Sequence, residues 1–139
     1  MRNSTATAEW NGVLKSGKGE MRLTDKSFPF TFSSRMEGAA GSSPEEMLAG
    51  ALAGCYSMAL SADLEKAGFA PQQVRTRGTA HFDNASGKWT VETIDLDVQA
   101  NVPGIDDAKF QEIANGTKSA CPVSRALAAV KINVNAKLS

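Results

Sequence analysis

Two cysteines, Cys55 and Cys121, are the residues of this 139-residue sequence best suited to covalent chemistry, and they lie far apart along the chain. The reactive form of a cysteine is the thiolate, which needs a nearby cation or a helix N-terminus to be populated at neutral pH. Cys121 has the second. In Ala120-Cys121-Pro122-Val123-Ser124 the proline suits a first helical turn, so the sulfur falls where unpaired N–H groups point. Cys55 lies in the stretch Met47 to Ser61, which carries no charged residue. Burial there raises a thiol's pKa and makes it inert, so Cys55 needs a cation from elsewhere in the fold.

In a reducing compartment, two distant cysteines suit a transient catalytic or sensing pair better than a permanent staple. The other reading is a pair of buried thiols serving as small apolar side chains. Cysteine count alone does not choose between them. Residues Met1 to Gly12 lack the apolar run and small-residue cleavage site of a secretory signal, so a cytoplasmic location is expected.

Other chemistries find little support. The single histidine, His81, stands between Ala80 and Phe82 in a strand-like run. Two cysteines and one histidine supply at most three ligands, without zinc-site spacing, so neither a metal nor a Cys-His hydrolase is expected. There is no phosphate-cradling glycine loop; Gly50 and Gly54 lie inside an apolar helix as packing residues, so no nucleotide cofactor is expected. Lys plus Arg equals 15 and Asp plus Glu equals 15, and this balance gives no general pull toward nucleic acid or an anionic membrane.

The elements that must position the two sulfurs follow from pattern. With 42% hydrophobic and 22% charged residues the chain is expected to fold as one globular domain over residues 1–139. Strand-like runs at Ala6 to Trp10, Gly19 to Leu23 and Phe28 to Ser33, separated by turn residues, predict an antiparallel meander. Ser43-Pro44-Glu45-Glu46 then starts a helix: a capping serine, a proline at the first position and two acids facing the positive end of the dipole. It should run to about Lys66 and stop at Gly68. Its uncharged centre predicts a core helix buried on most sides. A membrane span is the weaker reading, because the uncharged run is shorter than about 18 residues.

Beyond Pro71, Val74 to Phe82 and Lys88 to Ala100 read as a long hairpin around Asn84 to Gly87. A helix from Asp106 to about Lys118, a short helix after Cys121-Pro122 and a final strand from Val130 to Lys137 complete the order. Strands and helices are segregated, which indicates an α+β protein with antiparallel sheet. So small a chain covers a five-turn apolar helix with difficulty. Ala49, Gly50, Ala51, Ala53 and Gly54 would let two copies of that helix approach closely, predicting a homodimer with this helix near the two-fold axis. Alternatively these small residues face a sheet of the same chain.

The segments Phe32 to Gly38, Ser43 to Leu48, Ala53 to Leu60, Val102 to Ile105 and Cys121 to Leu127 together resemble the OsmC/Ohr family of organic hydroperoxide reductases. The resemblance runs in order along essentially the whole chain, closest to the OsmC branch. It implies antiparallel sheets wrapped around a long central buried helix, in an intertwined homodimer. It also implies a thiol peroxidase in which Cys55 is the peroxidatic and Cys121 the resolving cysteine, Arg35 holds the thiolate, and Glu45 orients Arg35. The implied partners are an organic hydroperoxide and a dithiol reductant of the lipoyl type.

The residues agree with these roles. Arg35 would supply a permanent positive charge, and Glu45 could fix its guanidinium plane by paired hydrogen bonds. Without the resemblance, Arg35 reads as a strand end and Glu45 as a first-turn acid. Glu45 and Cys55 are ten positions apart, about 15 Å of rise on one helix and nearly opposite faces, so either Arg35 bridges them or Glu45 and Arg35 reach Cys55 from the other subunit, and a site composed at the dimer interface is expected. A redox sensor using the same cysteine pair without turnover, and a structural dimer with inert thiols, are the competing readings.

Overall fold

The N-terminal strands form between short turns, Gly12 to Gly17 and Thr24-Asp25. In the computed structural model, which describes residues Met1–Ser139 throughout, β1 (Ala6–Asn11), β2 (Lys18–Leu23) and β3 (Lys26–Phe30) make an antiparallel sheet in that order. Leu23 pairs with Lys26, so two residues turn the second hairpin. Between β2 and its neighbours, Gly19 leaves room for the Trp10 and Phe30 rings, whose centroids are 5.4 Å apart; a Cβ there would stand 2.6 Å from both side chains. The meander is as expected. The chain divides into two compact units, Met1–Glu46 and Met47–Ser139.

The first unit departs from expectation after Phe30. The strand predicted to continue to Ser33 stops, and α1 (Phe32–Met36) begins. Thr31 is the reason: its hydroxyl accepts from the Ser34 N–H at 3.0 Å while the Ser34 hydroxyl accepts from the Thr31 N–H at 2.8 Å, a reciprocal cap that stabilises a helix start. Arg35 therefore sits on a helix and not on a strand end.

In the second unit the long helix α2 (Pro44–Lys66, of which the first three residues belong to the first unit) runs as predicted. Three strands follow in the order β4-β5-β6: β4 (Gln73–Asp83) and β5 (Thr90–Asn101) form the expected hairpin, and β6 (Lys131–Leu138) lies beside β5. β6 is parallel to β5, which corrects the all-antiparallel expectation. The crossover through α3 (Asp107–Ala120) and α4 (Pro122–Ala126) carries the chain back to the end where β5 began, which is what a parallel pair requires.

The core lies in this unit. Leu52, Tyr56, Leu60 and Leu64 from one stripe of α2 are 0% exposed and pack with Ile94, Leu96, Val98 and Ala100 of β5 and with Phe110 and Ala114 of α3. Gly78 of β4 lets the helix backbone come very close, for a Cβ there would meet the Ala49 carbonyl oxygen at 2.7 Å. Ser57 ties the same two elements, donating to Ala53 O at 2.8 Å and bonded to the Thr76 hydroxyl at 2.7 Å. By length and composition alone α2 would pass for a membrane span.

Within a single chain α2 is covered along one stripe. Opposite the core stripe, Leu48, Ala51, Gly54, Met58 and Ala62 are exposed, Met58 to 77%. An uncharged sequence carries no polar stripe to mark its outer face, so composition could not distinguish one buried face from two.

Candidate active site

Cys55 projects from the middle of α2 and Cys121 from the joint between α3 and α4. Their sulfurs are 2.8 Å apart although 66 residues separate them in sequence. Both are free thiols, against about 2.0 Å between sulfurs in a disulfide. The joint is held by a network around it. The Tyr56 hydroxyl donates to Ala114 O at 2.9 Å, and the Thr117 hydroxyl donates to Asp63 Oδ2 at 2.7 Å, so α2 and α3 are tied together at two points. The Cys121 N–H closes α3 by donating to Thr117 O at 3.2 Å. Burial, and then the Asp63 carboxylate, keep the Tyr56 phenol well above its ordinary pKa, so it stays a donor.

The two sulfurs differ in access and in electrostatics. Cys55 is partly exposed, whereas Cys121 is 0% exposed. Burial raises the Cys55 thiol above its ordinary range, the hydrogen bond shared with Cys121 raises it further, and the Val123 N–H opposes the rise. Burial also pushes Cys121 up. There, however, the Cys55 thiol, the Ser124 N–H and hydroxyl, and the Val123 N–H together overcome burial and bring Cys121 below its ordinary range. The surroundings of the two sulfurs thus act in opposite directions, raising Cys55 and lowering Cys121.

Arg35 and Glu45 meet in the first unit. The Arg35 Nε and Nη2 donate to Glu45 Oε1 at 3.0 and 2.7 Å, and Nε reaches Oε2 at 3.2 Å. Glu45 is largely buried, its side chain 11% exposed, while that of Arg35 is 40% exposed. Paired bonds of this kind fix the plane of a guanidinium. The local fold explains the meeting. The Ser34 hydroxyl donates to Ser42 O at 2.8 Å and the Ser42 N–H donates to Pro29 O at 2.8 Å, folding the α1–α2 connection onto β3; Ser43 then caps α2 by accepting from the Glu46 N–H at 3.2 Å. The structure thus gathers the four singled-out residues as two pairs, one in each unit. Elsewhere, His81 Nε2 lies 2.6 Å from Asp95 Oδ2 on the outer face of the second sheet, apart from the cysteines.

Sequence reasoning passed over Ser124. Its signal was the spacing itself, since Cys121 at the N-cap and Ser124 three positions on reproduce the register of a capping pair.

A two-layer α+β chain with a cysteine on a long apolar helix and a second at a Cys-Pro helix start defines a class of two-cysteine proteins, and comparison with known proteins agrees. The family model "OsmC-like protein" matches residues 37–135. Peroxiredoxin OsmC of Escherichia coli (strain K12) is 38% identical over 125 residues, covering 88% of this chain and 87% of that protein. The chain belongs to the OsmC family. Among solved structures, the OsmC-like protein from Mycoplasma pneumoniae superposes with a TM-score of 0.75 at 18% identity, over 99% of this chain and 97% of that one. The organic hydroperoxide resistance protein OhrB of Bacillus subtilis gives 0.65 at 21% identity, over 97% and 98%.

Proposed function

We propose that this protein is a thiol-dependent peroxidase that reduces organic hydroperoxides to alcohols, with Cys55 attacking and Cys121 resolving. The carrying observation is the contact of a partly exposed sulfur with a fully buried one at 2.8 Å. Only the first is open to a peroxide, and the second is placed to intercept its oxidised product. The names of relatives support the class: one is a peroxiredoxin, another an organic hydroperoxide resistance protein.

The chemistry balances as follows. Loss of the Cys55 proton to solvent produces the attacking thiolate. Its sulfur bonds to the terminal peroxide oxygen, the O–O bond breaks, and the alkoxide leaves as the alcohol with the proton of Cys121, which becomes the thiolate. Cys55 is now a sulfenic acid. The Cys121 thiolate bonds to the Cys55 sulfur, the S–O bond breaks, and hydroxide departs as water once protonated. An external dithiol then reduces the disulfide and is itself oxidised to a cyclic disulfide, a role suited to a lipoyl-type group. Arg35, its plane set by Glu45, is the cation that favours the Cys55 thiolate and receives the alkoxide charge. Methionine side chains such as Met36 and Met47 favour a hydrophobic R group over hydrogen peroxide.

A homodimer completes this reading. Of residues 1–46 only Gly17, Ser43 and Glu45 are buried, and β1 has five of its six residues exposed. A three-stranded sheet with no core of its own needs cover. The exposed apolar stripe of α2 needs it as well, and a second copy supplies both, with Arg35 and Glu45 serving a cysteine pair of the same subunit or of the other.

The test is dithiothreitol oxidation driven by cumene hydroperoxide. Wild type turns over, Cys55→Ser does not, and Cys121→Ser stops at a trapped sulfenate. A wild-type protein that forms its disulfide once and consumes no further dithiol is a sensor, and one whose thiols ignore peroxide is a structural dimer; either result refutes the proposal.

A further inference from the structure

Ser124 Oγ is buried and lacks a well-formed hydrogen-bond partner. Such a group costs about 1–3 kcal/mol where its hydrogen-bonding capacity goes unused, so a buried hydroxyl of this kind calls for a role. It stands at the third position of α4, whose N-cap is Cys121, with backbone angles of −59° and 129° at the cap. In a capping pair the cap side chain accepts from the third residue's N–H. Here the cap residue is Cys121, so the side-chain acceptor that this register sets beside the buried Ser124 hydroxyl is a sulfur. A neutral thiol is a poor acceptor, which leaves the hydroxyl poorly satisfied in the resting pair; a thiolate is a far better one.

We propose that the Ser124 hydroxyl is a dedicated donor to the Cys121 sulfur, stabilising it as a thiolate when it closes the disulfide with Cys55 and again when it leaves on reduction of that disulfide. The second half rests on the peroxidase reading above; the first does not. In disulfide closure the Cys121 electron pair forms the S–S bond as the Cys55 S–O bond breaks. In reduction, an external thiolate bonds to the Cys55 sulfur and the S–S electron pair returns to Cys121. Both steps place negative charge on the sulfur beside Ser124, and a more stable thiolate is the better leaving group. The buried Ser124 hydroxyl would therefore cost stability in the resting state and recover it when charge develops.

The experiment titrates Cys121 in a Cys55→Ser background by its ultraviolet thiolate absorbance, which needs no peroxide. Ser124→Ala should raise the midpoint by about one pH unit, the size expected of one hydrogen bond to a charged group. Ser124→Thr, which keeps the hydroxyl, should restore it. If the alanine protein folds poorly, the isosteric pair Ser124→Thr and Ser124→Val makes the same comparison. With Cys55 present, disulfide closure in Ser124→Ala should slow about threefold below both midpoints, because lost thiolate outweighs gained nucleophilicity, and the deficit should vanish at high pH. A merely structural serine would slow closure equally at every pH. An unmoved midpoint in Ser124→Ala, accompanied by higher thermal stability from removal of an unsatisfied hydroxyl, overturns the inference and leaves the peroxidase reading intact. An unreactive Cys55 toward peroxide overturns that reading and leaves the titration result standing.

Discussion

The middle of α2 and the α3–α4 joint each present one sulfur, and the helical position of each decides its character. At Cys55 the N–H groups of its own continuous helix are already spent, so only the Val123 N–H of the neighbouring joint opposes burial, and the thiol is raised. At Cys121 one helix has ended and another has begun, so the N–H groups of Val123 and Ser124 are free to face the sulfur, and the fully buried residue is the more acidic of the two. Depth and reactivity are thus decoupled. In the proposed mechanism the partly exposed sulfur meets the substrate and the acidic one waits behind it, so the attacking thiol depends on help from outside its own helix.

The sharpest way to break this contrast is to remove that help. Arg35→Ala should lower kcat/KM for cumene hydroperoxide about a hundredfold, the usual cost of losing one donor to a developing oxyanion, and Arg35→Lys should recover little because a lysine cannot make the paired bonds. Glu45→Gln keeps one acceptor for Arg35 but removes the charge, and a loss of about tenfold in kcat/KM is expected. Next, Cys121→Ala tests the coupling of the sulfurs. Burial holds Cys55 up first, and its hydrogen bond and charge interaction with Cys121 add to this. Removing the latter two lowers the Cys55 midpoint, so its alkylation by iodoacetamide should move to lower pH than in wild type. The smallest effect concerns the support of α2. Gly78→Ala sets a Cβ against the Ala49 carbonyl and should cost about 1–3 kcal/mol in denaturant unfolding while sparing the first helical turn of α4.

Much of this was legible in the sequence because it is written locally. Ser43-Pro44 marked the start of α2, Asn84 to Gly87 marked the hairpin, and Cys121-Pro122 marked the joint, each through a residue whose chemistry fits one position. What escaped was written between segments. The alternation of Phe28, Phe30 and Phe32 hid the Thr31 cap, which depends on a hydroxyl pair and not on apolar period. The direction of β6 leaves no mark in an alternating strand. The outer face of α2 is as apolar as the inner one. The cysteine contact itself was implied by family resemblance, since no spacing rule brings Cys55 to Cys121. Ser124 was visible only once its hydroxyl was seen to be buried without a good partner.

The central claim is that the less acidic sulfur is the one that attacks, because access and an external cation outweigh intrinsic acidity. Trapping with dimedone after a single equivalent of cumene hydroperoxide tests it, comparing Cys121→Ser with Cys55→Ser by mass spectrometry. The account predicts rapid sulfenate capture at Cys55 in the first protein and little at Cys121 in the second; faster capture at Cys121 would contradict it.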